Sequence, residues 1–283
     1  MSSEILKTIL SQIEAGTAVP YLGAGVLAGC KNVESDADMP ADSDSLILAM
    51  NNGRPMAPKL MYEFPRAAMN LELKKGRSFL NRFLNELYGK QSWTRAPLHD
   101  WIAAKKPGYV IDINRDTQLQ DTYADTPHTL IRGIARLAYD YRFEIHSYDG
   151  EKYTEVKQEE VDPALPILFK PMGSPLPEPT FIASDADYVD YITELMGGFA
   201  IPSFLKEKRK GLKYVFLGVP MTRDTERMVL SDIIYDAADP KGWALIPDAT
   251  DKEKRFCKKI GLEVVDLGVD DFLAASPILE AAS

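Results

Sequence analysis

Apolar residues recur at helical spacing from Glu4 to Ala15, with Ile5, Ile9, Leu10 and Ile13 on one face and Gly16 where a left-handed terminator belongs. The spacing predicts an opening amphipathic helix. A short apolar run, Ala18 to Leu22, ends in Gly23-Ala24-Gly25, the pattern of a strand entering a tight turn. Residues 29–60 are rich in Gly, Pro, Asp, Ser and Asn, interrupted by Ser45 to Met50, which predicts loops and one short helix over the glycine turn. From Phe64 to Trp101 the spacing is helical throughout, with Phe79, Leu80, Phe83, Leu84 and Leu87 repeating at three and four. Together these segments predict a helical insert at about 40–105.

Beyond the insert, Tyr109 to Ile113 and Pro166 to Lys170 are compact β-rich runs, each ending in a polar loop. Arg142 to Val156, centred on Asp149-Gly150, predicts a hairpin. His128, following Pro127, marks an expected helix start. Ser184 with Asp187 caps a helix, Tyr214 to Leu217 is a strand entering Gly218, and Thr222 to Tyr235 is helical. Trp243 to Ile246 is a strand, Thr250 with Glu253 opens a helix ending near Gly261, and Leu262 to Val265 is a last strand. Strands alternating with helices predict an α/β protein: a Rossmann-like, doubly wound, mostly parallel sheet with helices on both faces, spanning 1–283 as a single domain.

Of the 283 residues 45% are hydrophobic and 27% charged, a globular balance that excludes disorder and collagen. The net charge of -9 would repel a phosphate backbone, so nucleic acid is not an expected partner. Cys30 and Cys257 stand far apart, so neither a disulfide framework nor a structural zinc site is expected. No run of about 18 apolar residues exists, and the amino-terminal residues lack a basic then apolar leader. A soluble, unexported, cytoplasmic protein without membrane contact is the expectation.

In a doubly wound sheet, ligands lie beyond the carboxyl ends of the strands. Four loops qualify: Gly23-Ala24-Gly25-Val26-Leu27-Ala28, Asn114-Arg115-Asp116, Lys170-Pro171-Met172-Gly173-Ser174, and Gly218-Val219-Pro220-Met221 followed by Arg223-Asp224. The first fits the dinucleotide pattern G-x-G-x-x-A, although a glycine turn that merely reverses the chain gives the same letters. Likewise, Asn114 and Asp116 suit an ordinary Asx turn. Taken in order, the four loops resemble the SIR2 superfamily, specifically its bacterial SIR2-like domains rather than the zinc-containing sirtuin deacetylases. The likeness continues in His99-Asp100-Trp101-Ile102, in Ser184-Asp185-Ala186-Asp187-Tyr188 and in the closing strand-helix-strand from Trp243 to Phe272.

That resemblance implies an NAD-binding domain that breaks the nicotinamide–ribose bond, with water capture giving NAD hydrolysis. Carried over, Gly23, Ala24 and Gly25 would face the pyrophosphate, Asn114 the nicotinamide ribose or attacking water, and Asp116 would brace its loop. Met172, Gly173 and Ser174 would border the reacting end, and Gly218 and Val219 the adenosine half. A homo-oligomer or a protein partner is also implied. If active, the protein is expected to be an NAD glycohydrolase and not a deacetylase, since the zinc module of sirtuins has no counterpart here. A glycine-to-valine change at Gly25 is expected to block the nucleotide without unfolding the chain.

The departures are specific. The family's catalytic His falls on Met172, whose thioether cannot accept a hydroxyl proton, a loss of about 10²–10⁴-fold in rate. Pro220 replaces a Ser, deleting a hydroxyl and an N–H. Asp112, on the same strand face as Asn114, has two readings: a substitute base, or a carboxylate held in an ion pair. His99 reads as a packing residue on a helix, His146 as a strand residue, and His128 as a candidate to reach the pocket from the loop after Asp116. The basic cluster Lys206 to Lys213 reads as a solvated helix end, and Asp185, Asp187 and Asp190 as capping residues. No metal is expected. The alternative to an enzyme is an inactive nucleotide-sensing or scaffold protein, a pseudoenzyme acting through a protein partner.

Overall fold

Near-continuous apolar runs such as Ala18 to Leu22 and Tyr109 to Ile111 suit strands buried on both faces, and the chain builds a nine-stranded sheet from them. The structure, a computed structural model, describes residues 2–136 and 140–276. Its strands are β1 (Ala18–Leu22), β2 (Tyr109–Asp112), β3 (His128–Gly133), β4 (Phe143–Tyr148), β5 (Tyr153–Glu155), β6 (Ile167–Lys170), β7 (Gly173–Ser174), β8 (Thr180–Phe181), β9 (Lys213–Leu217), β10 (Gly242–Leu245) and β11 (Leu262–Val265). The helices are α1 (Ser2–Glu14), α2 (Ser43–Met50), α3 (Phe64–Lys75), α4 (Arg77–Asn85), α5 (Pro97–Lys105), α6 (Gln118–Thr122), α7 (Asp185–Gly197), α8 (Ser203–Lys208), α9 (Asp224–Ile233), α10 (Asp251–Ile260) and α11 (Val269–Ala275).

The sheet runs β11-β10-β9-β1-β2-β6-β3-β4-β5, and β7 pairs with β8 separately. From β11 to β3 every neighbouring pair is parallel; β4 and β5 close the edge as antiparallel strands. Strand alternation divides the core. Val110, Leu130, Leu168, Val215 and Leu217 face one apolar layer that includes residues of α1 to α5 and α11. Ile111, Ile131, Phe169, Tyr214 and Phe216 face the other, with α7 to α10.

Two expectations change. His128 opens β3 rather than a helix: Thr129 to Arg132 pairs in register with Ile167 to Lys170, and the β-branched, apolar stretch after Pro127 outweighs the proline's helix-start signal. Its ring hydrogen-bonds Thr126 and Tyr153, at 2.8 and 2.9 Å, instead of reaching the pocket from the loop after Asp116. The continuous helix expected from Phe64 to Trp101 is broken at Gly76, where φ is +86°, and again over 91–96. No helix among the described residues is long and apolar enough to cross a membrane.

Candidate functional site

β1 is the switch point of the sheet. The chain leaves it for β2 on one side, and after β6 it returns to β9 on the other, so the loops after β1 and β9 flank a crevice at their carboxyl ends. These two loops are bonded together. The Gly23 N–H donates to Leu217 O at 3.0 Å and the Gly25 N–H to Gly218 O at 2.8 Å. A Cβ on Gly25 would lie 2.8 Å from Gly218 Cα, and one on Gly23 would lie 2.7 Å from Gly218 O. Gly218 has φ +65° and would bring a Cβ within 2.5 Å of Val26 N. The close approach that needs these glycines is therefore made by the protein's own backbone. This corrects the expectation for Gly25→Val, which would force the β1 and β9 loops apart and not merely crowd a ligand.

Beside this double turn lies a groove of about 950 Å³, bordered by Ala24 to Cys30, Gly218 to Pro220, the end of β10 and the start of α11. Its size matches a small-molecule or cofactor site, typically about 300–1,000 Å³. Its charge is one-sided: among the described residues, Asp38, Asp42, Glu253, Asp270 and Asp271 line it, with no Lys or Arg. Most are already engaged. Asp42 accepts from the N–H groups of Asp44 and Ser45, Glu253 from Thr250, Asp271 from Gly268, and Asp38 pairs with Lys31. Asp42 thus closes the start of α2, while Glu253 and Asp271 place a negative charge at the starts of α10 and α11 by taking up the N–H of the residue before each helix.

Through Ala24, Ala41 and Pro220 the groove adjoins an inner pocket of about 40 Å³, completed by Tyr21, Tyr88, Asn114, Arg115, Met172, Tyr188 and Glu226 among others. That space takes one or two water molecules. Asn114 donates from Nδ2 to Gly23 O at 3.0 Å and to Asp112 Oδ1 at 2.9 Å, leaving its Oδ1 to present to a ligand. Arg115 is held by Ile182 O, at 2.9 and 2.6 Å, and by the Tyr188 hydroxyl at 3.1 Å. Met172 is buried against the pocket, 3% exposed.

Among the residues singled out from sequence, Ala24, Gly25, Gly218 and Val219 line the groove, and Ala24, Asn114 and Met172 the inner pocket. Gly23, Asp112, Asp116, Gly173 and Ser174 line neither. Gly173, at φ +82°, and Ser174 form β7, and the buried Ser174 hydroxyl bonds Gln120 at 2.5 Å. Asp116 accepts from Gln118 N at 2.7 Å. None of the three histidines lines the groove or the pocket.

Asp112 is fully buried, and both its oxygens are engaged. Oδ1 accepts from the N–H and Nδ2 of Asn114, and Oδ2 from the buried Lys170 ammonium at 2.7 Å. The pair arises because β2 and β6 are adjacent and in register at Ile111 and Phe169, which sets the next residues side by side. Burial pushes the Asp112 carboxyl above its ordinary range, against the pull of the ammonium. His99 and Asp116 complete the cluster, their ligating atoms and that of Asp112 lying within 4.8 Å of one another. His99 Nε2 and Asp116 Oδ2 have no hydrogen-bond partner among the described residues. The Lys170 charge already sits beside Asp112, so the cluster holds its own cation.

Glu226, in the first turn of α9, was not singled out from sequence. An acid there reads as an ordinary partner of the helix N-terminus. It nevertheless lines the inner pocket, with Oε2 out of solvent and without a hydrogen-bond partner among the described residues. Burial, then the nearby Glu63 carboxylate, pushes its pKa up to about 7, against the pull of Arg115, Arg223 and Arg227. Comparison with protein-family models found no match to this chain, and comparison with curated proteins found none either.

Proposed function

We propose that the protein binds NAD or a related ADP-ribosyl nucleotide, its adenosine half in the groove and its nicotinamide ribose toward the inner pocket, as a SIR2-like protein with an altered catalytic end. One observation carries this reading: the groove at the switch point adjoins a smaller polar pocket, the two sharing Ala24, Ala41 and Pro220 as walls. An elongated ligand with two unlike halves suits such a pair of compartments. At the inner end, Asn114 Oδ1 would accept from a ribose hydroxyl or a water, while Arg115 and the Tyr188 hydroxyl stiffen the wall. The Asp112–Lys170 pair holds Asn114 in place and acts through it as a positioning element.

Two features favour the second reading, an inactive nucleotide-sensing or scaffold protein. Met172 offers no base, and a pocket of about 40 Å³ is smaller than a pyridine ring requires. Proton NMR of NAD mixed with the purified protein separates the two. Free nicotinamide signals that grow with time, and vanish in Asn114→Ala, support a glycohydrolase; broadened NAD signals without nicotinamide support a binding protein. Sharp, unchanged signals would reject both.

A further inference from the structure

We propose that Glu226 is the acid–base group of the inner pocket, supplying from α9 the proton acceptor that Met172 cannot supply from the loop after β6. This rests on the nucleotide reading above and deepens it. The geometry is that of a reactive carboxyl. Glu226 shares a water-sized pocket with Asn114 and Met172, and Oε2 is shielded from solvent without a hydrogen-bond donor among the described residues. A buried carboxylate oxygen without a donor favours the protonated carboxyl, and proton exchange with the pocket runs through the other oxygen, Oε1.

The charges facing Glu226 come from several elements. Glu63 precedes α3, Arg115 follows β2, Arg223 and Arg227 flank Glu226 itself, and Tyr21 and Tyr188 approach from β1 and α7. Arg115 is already committed to Ile182 O and Tyr188, and Arg227 to Met221 O, so neither guanidinium is paired with Glu226. The balance leaves a carboxyl that exchanges its proton at about pH 7. That is the range in which a general base is most effective.

In the hydrolysis this group would serve, the bond from ribose C1′ to the nicotinamide nitrogen breaks and its electron pair leaves on the neutral nicotinamide. Water oxygen forms the new bond to C1′, and its proton passes to the Glu226 carboxylate and then to solvent. The products are ADP-ribose, nicotinamide and a proton.

The test measures nicotinamide release and ADP-ribose affinity together in the wild type, Glu226→Gln and Glu226→Asp. Expected are a 10²–10⁴-fold slower release in Glu226→Gln with ADP-ribose affinity within twofold, and partial rescue in Glu226→Asp. The wild-type rate should rise with pH through about 7, and that dependence should vanish in Glu226→Gln. Full activity in Glu226→Gln would overturn the role of Glu226 while leaving the nucleotide reading intact. Binding of ADP-ribose without any release by the wild type would overturn it equally. Failure of the wild type to bind ADP-ribose would overturn the nucleotide reading itself and this inference with it.

Discussion

The Asp112–Lys170 pair is the residue on which local stability turns, because removing one partner strands a charge at zero exposure. Lys170→Met is expected to lower unfolding free energy by about 3–5 kcal/mol, read from urea melts. The double variant Asp112→Leu/Lys170→Met should recover much of that loss; a double variant no more stable than either single one would contradict the account. Glu226 behaves in the opposite way. Its folded pKa of about 7 lies above the ordinary 4.5, so its ionised form weakens the fold as pH rises through that window. Glu226→Gln should therefore be more stable than wild type above pH 7, by about 3 kcal/mol, with the difference gone below pH 4.5. Asn114 and Met172 were legible from sequence because both follow strand ends. Lys170 as the partner of Asp112 was not, since it depends on which strands are neighbours, and Glu226 was hidden because a first-turn acid has a commonplace reason to be there.

At the scale of elements, the glycines separate two kinds of constraint. Gly218→Ala combines a positive φ with a Cβ 2.5 Å from Val26 N, whereas Gly29, at φ +83°, has nothing within 4 Å of the added atom. Gly218→Ala is expected to cost about 3 kcal/mol or more and Gly29→Ala about 1 kcal/mol, measured as shifts in the urea midpoint. Equal costs would mean that contact between the β1 and β9 loops is unimportant. The G-x-G letters pointed to the correct turn in the correct place, a strand end at the switch point. They did not reveal that the N–H groups of Gly23 and Gly25 go to Leu217 and Gly218, because a loop gripping a neighbouring loop and a loop gripping a phosphate need the same missing Cβ. Most strands were legible because parallel strands buried on both faces are short apolar runs. β3 was missed because Pro127 disguised its start.

For the whole molecule, the parallel sheet and its two helical layers follow from the alternation of runs, while the strand order that creates the crevice does not. Charge is the other property of this scale. A net charge of -9 and a groove lined by five carboxylates without a Lys or Arg oppose any ligand carrying a pyrophosphate. ADP-ribose binding should therefore tighten as salt is raised from low to physiological ionic strength, and Asp270→Asn, at an exposed position in the groove, should tighten it about two- to threefold. Weakening with salt would show that cations outside the groove dominate.

Nucleotide binding in the groove is tested by calorimetric titration of ADP-ribose into the wild type and into Ala28→Trp, whose indole would fill the groove from an exposed position beside the glycine turn. Expected are binding by the wild type, at least tenfold weaker binding by Ala28→Trp, and the same melting temperature for both proteins. Equal affinities, or a wild type that binds no ADP-ribose, would contradict it.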